Sequence, residues 1–169
     1  MAHWTMRLLR HRLFDEADAR RMLSRDALTR IEARVAASEK RHTGQIRVVV
    51  EAGLPLSYLR RRATPRDRAV AAFAKLGVWD TERNNGVLLY LLLAEHAIEL
   101  VADRGLNRHA GPAEWAQIAS SMQGAFQSGD FEGGLLRAID AVDALLVRHF
   151  PRRAGDDDVN ELPDAPLVR

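Results

Sequence analysis

The chain has 169 residues and a formal net charge of +2, from 25 Lys and Arg against 23 Asp and Glu. This length predicts one domain with a substantial core and no second full domain. The absence of cysteine excludes disulfides, thiolate metal sites and cysteine nucleophiles, and so small a cationic surplus predicts no nucleic-acid partner.

Residues 1–23 predict an N-terminal amphipathic helix. Its apolar positions recur at helical spacing: Met6, Leu9, Leu13 and Ala17. The opposite side is basic, so two interpretations are open: the apolar stripe packs on the domain, or the helix lies on an anionic membrane or an acidic partner. Arginines interrupt the apolar residues of this helix, whereas a secretory signal has an uninterrupted apolar core. No segment has the pattern of a membrane span, so we expect a cytoplasmic protein.

The next elements alternate between helix and strand. Ser24 is a good N-cap for a helix that we expect to run to Thr43, with Gly44 as a left-handed stop. The apolar pattern of residues 45–52 predicts a mostly buried strand. Residues 54–63 are expected to form an irregular segment or a short turn of helix. Thr64 followed by Pro65 then begins a helix that ends at Gly77.

The central element is the apolar run of residues 87–94, which predicts a strand buried on both faces. Glu95 and His96 interrupt it, and residues 97–103 resume the pattern, which indicates a tight turn between two antiparallel strands. The order strand, helix, strand predicts that the strand at Gln45 runs parallel to the one at Gly86 through a right-handed crossover.

Two further helices follow, one from Pro112 to Gly129 and one that begins at Asp130 and ends before Pro151. Residues 151–169 are polar, acidic and proline-containing, and we predict a disordered acidic tail. Residues 24–150 are therefore expected to form an α/β domain, a three-layer α/β/α sandwich. Its small mixed sheet contains one parallel crossover and one antiparallel hairpin.

This topology brings two polar clusters to one rim of the sheet, where the second hairpin strand ends beside the start of the first. The side chains at this rim offer the carboxylate and amide oxygens that calcium prefers. We therefore predict a metal site whose ligands are Asp80, Glu82, Asn84, Asn85 and Asp103. The alternative is structural, because Asn-Asn-Gly is a turn former and Asp80 with Thr81 caps a local turn.

A phosphatase would need a nucleophile or a metal-activated water and a cation beside the phosphoryl group. The candidates at this rim are Asp80, Asp103 and Arg104. An arginine between two acids more often forms an ion pair, and the sequence has no glycine-rich phosphate loop or Gly-x-Ser-x-Gly element. Catalysis is therefore the alternative to an interaction domain.

The order of these elements resembles the TPM domain family. The most specific part is Asn84-Asn85-Gly86-Val87-Leu88-Leu89 before a hairpin, followed by Gly105-Leu106 and by Gly129-Asp130-Phe131 at the start of the last helix. Where many relatives have Gly-Tyr-Gly, this chain has Asp103-Arg104-Gly105. The resemblance covers residues 24–150.

The resemblance implies a compact α/β/α fold, with calcium binding and phosphatase activity attributed to some members. The resemblance also implies that the chain belongs to the short soluble bacterial branch of the family, whose members tend to accompany LemA-type membrane proteins. We therefore expect a TPM-like accessory domain that acts with a membrane-associated partner, with peripheral membrane contact and with calcium as its cofactor.

Overall fold

The computed structural model describes residues 2–156 and 159–169 of the chain. The helices are α1 (Ala2–Leu13), α2 (Glu16–Met22), α3 (Arg25–Glu39), α4 (Leu56–Arg60), α5 (Pro65–Lys75), α6 (Arg104–Asn107), α7 (Pro112–Gln127) and α8 (Phe131–His149). The strands are β1 (Gln45–Glu51), β2 (Gly86–Leu92), β3 (Ala97–Ala102) and β4 (Leu167–Val168).

The four strands form one mixed sheet in the order β3-β2-β1-β4. β1 runs parallel to β2 with Gln45 opposite Gly86, and β2 runs antiparallel to β3 with Val87 opposite Ala102. A 3₁₀ turn (Leu93–Glu95) and His96, at φ 49°, join β2 to β3. The predicted crossover and hairpin are both confirmed.

Alternation along β2 divides the apolar side chains into two cores. Val87, Leu89 and Leu91 belong to a core with residues of α3, α7 and α8. Leu88, Tyr90 and Leu92 belong to a second core with residues of α4 and α5. Since every β2 residue is buried, the sheet is covered on both faces and the predicted α/β/α sandwich is confirmed.

The N-terminal region forms two helices, so the prediction of one continuous helix is wrong. The Asp15 side chain accepts the Asp18 N–H at 3.0 Å, and the Asp18 side chain accepts the Asp15 N–H at 3.1 Å. This reciprocal capping box begins α2 and separates it from α1.

α1 contacts the domain through Arg7, Leu8 and His11, so the interpretation that its stripe of Met6, Leu9 and Leu13 packs on the domain is also wrong. Met6, Leu9 and Leu13 are 64%, 56% and 68% exposed. The buried His11 accepts the Leu54 N–H at Nδ1 over 3.0 Å, and its Nε2 lies 2.7 Å from Glu95 Oε1. The apolar stripe therefore faces away from the core.

α3 ends at Glu39, earlier than predicted, and the polar side chains of Glu39 and His42 bind the chain that enters β1. Glu39 Oε1 accepts the Ile46 N–H at 2.7 Å, and His42 Nδ1 lies 3.1 Å from the Gly44 carbonyl oxygen. Gly44 is not a left-handed stop. It allows close packing instead, since a Cβ there would lie 2.5 Å from a methyl carbon of Leu146.

The C-terminal segment, defined here as residues 159–169, is ordered along the outer edge of β1, so the predicted disorder is wrong for it. β4 pairs parallel with β1, placing Leu167 opposite Val49, and Leu162 is 7% exposed in the second core. Residues 157–158 lie outside the described part of the chain.

Two β1 side chains explain why so polar a segment is ordered. Gln45 Oε1 accepts the N–H groups of Glu161 and Leu162 at 2.9 and 3.0 Å. Arg47 Nη1 donates to the carbonyl oxygens of Pro163 and Ala165 at 2.7 and 2.5 Å. Backbone groups of the segment are thereby satisfied without a large apolar contribution.

Across the described helices, none combines the length and the apolar character that crossing a membrane requires.

Candidate functional site

The candidate site is the rim where β2 begins, and a glycine fixes its shape. A Cβ at Gly86 would overlap the carbonyl oxygen of Val78, so only glycine fits between the loop after α5 and the start of β2. Thr81 Oγ1 accepts the Asn85 N–H at 3.1 Å and holds the incoming loop.

The hairpin brings the end of β3 to this rim, as the sequence predicts. Asp103 donates its N–H to the Gly86 carbonyl oxygen at 2.9 Å, and Gly105 donates to the Asn84 carbonyl oxygen, also at 2.9 Å. The two polar clusters that flank the hairpin in the sequence therefore meet in space.

Asn84 and Arg104 contact each other at the rim. Asn84 takes the left-handed conformation with φ 52°, which asparagine tolerates better than most residues. Its Oδ1 accepts from Nε and Nη2 of Arg104, both at 3.2 Å. The guanidinium group thus lies against an amide at this point.

Asn85 and Asp103 each present a buried oxygen without a hydrogen-bond partner. Asn85 is fully buried and Asp103 is 9% exposed. Asp103 Oδ1 accepts the Arg104 N–H at 2.6 Å, but Asp103 Oδ2 and Asn85 Oδ1 have no partner within residues 2–156 and 159–169. Buried acceptors of this kind are rare in folded proteins and call for an explanation.

The other two predicted ligands, Asp80 and Glu82, are exposed. The Glu82 N–H donates to Glu161 Oε2 at 2.9 Å, which ties the loop to the C-terminal segment. In the described part of the chain, no group of three or more His, Asp and Glu residues is arranged to hold a metal ion. The five-residue ligand set stays a prediction.

The C-terminal segment and the residues before it also contact the rim, which the sequence did not predict. Arg83 Nη2 forms an ion pair with Asp156 at 2.7 Å. These residues line a cavity of about 150 Å³ together with Thr43, Arg152 and Glu161. The signal in the sequence was slight: a few apolar residues, among them Leu162, Leu167 and Val168, lie between polar residues and prolines.

A buried trio beneath the rim, Ser38, His42 and Asp143, was also missed. Ser38 Oγ lies 2.8 Å from His42 Nε2 and 3.0 Å from Asp143 Oδ1, while the other imidazole nitrogen faces the Gly44 carbonyl. A hydrolytic triad places the carboxylate on Nδ1 and exposes the serine, whereas these three are at most 3% exposed. The trio joins α3 to α8.

At the opposite end of β1, a second polar cluster is structural. Tyr90 donates its hydroxyl to Glu51 Oε2 at 2.5 Å, and Arg68 donates to both oxygens of Glu51 at 2.8 and 2.6 Å. Burial raises the pKa of Tyr90, so the phenol stays protonated and donates. Both carboxyl oxygens of Glu51 thus accept hydrogen bonds, and the cluster ties β1 to β2 and α5.

Comparison with known proteins agrees with this architecture. The TPM domain family matches residues 17–145. The structure is similar to that of the BA42 protein from the psychrophilic bacterium Bizionia argentinensis, with 27% identity, a TM-score of 0.74, and coverage of 86% of this chain and 94% of that one.

A second solved structure shares the fold. It is the N-terminal domain of a protein from P. gingivalis, with 23% identity, a TM-score of 0.61, and coverage of 78% of this chain and 83% of that one. A comparison with curated proteins found no match. Since the family match spans most of the chain, the protein belongs to the TPM domain family.

Proposed function

We propose that this TPM domain binds a hard cation, calcium in the first instance, at the rim formed by Asn85 and Asp103. The observation that supports the proposal is the pair of buried side-chain oxygens that lack partners in the described residues. Both flank Gly86, Asn85 along the chain and Asp103 through its backbone hydrogen bond.

The donor types suit calcium better than a softer metal. Calcium takes six to eight oxygens, including carboxylates, amide carbonyls and water. A bound ion would satisfy both orphan acceptors and neutralise the Asp103 carboxylate. The exposed side chains of Asp80 and Glu82 complete the proposed ligand set with water, and Asn84 would join it by exchanging Arg104 for the ion.

The test is a calcium titration followed by calorimetry and thermal melting. Because an ion that binds only the native state stabilises it by mass action, calcium at about 100 times its dissociation constant should add about 2.7 kcal/mol. Asp103→Asn keeps the oxygen that caps α6 and removes the charge, so it should abolish the response.

Asp26→Asn, an acid in the first turn of α3 and remote from the rim, serves as the matched control and should respond like the wild type. A flat melting temperature at millimolar calcium, or an equal response in Asp103→Asn, would contradict the proposal.

We further propose that the domain is an accessory module that works in the cytoplasm with a membrane-associated partner, a LemA-type protein by family likeness. Support comes from α1, whose exposed stripe of Met6, Leu9 and Leu13 is flanked by Arg10 and Arg12, with no acidic residue in the helix. An apolar stripe between arginines suits a helix lying on an anionic lipid surface.

Sedimentation with vesicles tests this contact. The full chain should bind phosphatidylserine-containing vesicles and lose binding at high salt or with phosphatidylcholine alone, because the attraction is partly electrostatic. The double variant Leu9→Ser, Leu13→Ser should lose most binding, while Val70→Ser, at an exposed site on α5, should not. Equal binding by both variants would count against the proposal.

A metal-assisted phosphatase is the second candidate. It ranks lower because Arg104 lies on Asn84 and one Asp103 oxygen caps α6, so neither group is poised beside a phosphoryl site. Turnover of a generic phosphate ester that requires calcium or magnesium and is abolished by Asp80→Ala would reverse this ranking.

A further inference from the structure

The outer edge of β3 carries a row of unpaired backbone groups. β3 ends the sheet, so it has a neighbour on one side only. Because Asp103 donates to Gly86, every second residue from Asp103 backwards bonds to β2. The backbone groups of Ile98, Leu100 and Ala102 therefore point to the open edge.

Side chains block this edge at two carbonyls and leave the rest open. Arg66 donates to the Leu100 carbonyl oxygen, and Asn107 Nδ2 donates to that of Ala102 at 2.7 Å. The N–H groups of Ile98, Leu100 and Ala102 have no acceptor in the described residues. Edge strands with such free donors pair readily with another extended chain.

A groove runs beside this edge, between β3 and α7. It consists of two adjoining cavities of about 520 and 370 Å³ that share Ile98, Ala116 and Ala119. Where the two cavities meet, the α7 wall is formed by the small side chains of Ala116 and Ala119, which leaves room for the side chains of an added strand. The floor is apolar, since Ile98 and Leu100 pack against the core shared with α7 and α8.

The groove also holds an unsatisfied donor. Trp115 lines the smaller cavity, and its indole N–H is buried without an acceptor in the described part of the molecule. A buried indole N–H normally finds a partner. A peptide carbonyl or side-chain oxygen in the groove would supply one.

We propose that the β3 edge and this groove bind an extended peptide segment of a partner protein, which adds to the sheet as a further strand. The free N–H groups would bond to peptide carbonyls, and alternate peptide side chains, apolar and small to medium in size, would enter the groove beside α7. A compact small molecule would be too short to accept hydrogen bonds from all three N–H groups, which lie two residues apart along the strand. This site adjoins the rim at Ala102, the residue before Asp103, and extends from there along β3 to the hairpin turn.

The experiment selects random peptides displayed on phage against the immobilised full chain and measures their affinity in solution. Ala116→Trp fills the groove at an exposed position and should weaken the selected peptides at least about tenfold. Ala102→Pro removes one outward N–H that the sheet does not use, and should weaken them about fivefold. Ala33→Trp, at an exposed position on α3, should change nothing.

Amide NMR shifts at residues 97–102 should move on peptide addition. Selection that enriches no peptide family, or peptides insensitive to both Ala116→Trp and Ala102→Pro, would overturn the proposal. Self-association of the chain that Ala116→Trp abolishes would also overturn it, since the occupant would then be a second copy. Calcium binding is measured separately and needs no peptide, so its failure would leave this result intact.

Discussion

Glu39 is a buried carboxyl group whose protonation we expect to affect stability. Burial raises its pKa to about 8, the nearby Asp164 adds to the shift, and the Ile46 N–H that it accepts opposes it. Its ordinary pKa is 4.5. Between these values the folded chain holds a proton that the unfolded chain has released.

The free energy of unfolding should therefore fall as pH rises from 4.5 to 8. Glu39→Gln keeps an oxygen for Ile46 and cannot ionise, so it should remove this slope and be more stable than the wild type above pH 8, by about 4–5 kcal/mol. Urea unfolding across this range measures the effect. Glu32→Gln, exposed on the same helix, should retain the wild-type slope.

The rim shows which residue properties the sequence could predict. The positions of Asn84, Asn85 and Asp103 followed from the hairpin, which an apolar run and a polar interruption specify. The sequence did not predict the different conformation and burial of these three residues. The left-handed φ of Asn84 and the burial of Asn85 depend on the loop after α5, the Arg104 side chain and Thr43, and no local pattern in the sequence encodes those contacts.

At the scale of elements, two substitutions in the C-terminal segment test whether it packs on the domain in solution. Leu162 is 7% exposed, whereas Val159 is 62% exposed. Leu162→Ala should cost about 2–4 kcal/mol, because it leaves a cavity in the second core. Val159→Ala should cost close to nothing, and urea midpoints compare the two. Equal and negligible losses would mean that the segment does not pack in solution.

The sequence predicted elements that carry their own periodicity and missed those that depend on remote partners. Helices α3, α5, α7 and α8 begin where caps and prolines indicate. β4 is two residues long, and side chains of β1 hold the polar residues before it, so the composition of the C-terminal segment resembles that of a disordered tail. The break between α1 and α2 rests on an aspartate capping box that interrupts an otherwise helical pattern.

At the scale of the whole molecule, His42 lies at the junction of α3, α8 and the chain entering β1. It forms a β-bridge with Pro151, and its ring lies between Ser38 and the Gly44 carbonyl. Burial lowers its pKa to about 4 although Asp143 attracts the proton, while Arg41 and Arg152 repel it. A proton forced onto this ring would therefore disturb contacts between several elements.

Since the ordinary pKa of histidine is 6.5, the unfolded chain takes up this proton first on acidification. The free energy of unfolding should fall as pH drops from 6.5 to 4, by an amount on the order of 3 kcal/mol. NMR titration should show the His42 imidazole neutral down to about pH 4. His42→Gln should weaken the acid dependence and exposed His96→Gln should not; titration of His42 near 6.5 would contradict the assignment.

The sheet joins residues at very different distances along the chain. The hairpin pairs residues from 5 apart, Leu92 with Ala97, to 15 apart, Val87 with Ala102, whereas Arg47 bonds to Pro163 across 116 residues. Because closing a longer loop costs more entropy, the hairpin is the natural nucleus and β4 the final addition during folding. Before β4 pairs with β1, the outer edge of β1 is open to other extended chains. We therefore expect misassembly to be most frequent at this stage of folding.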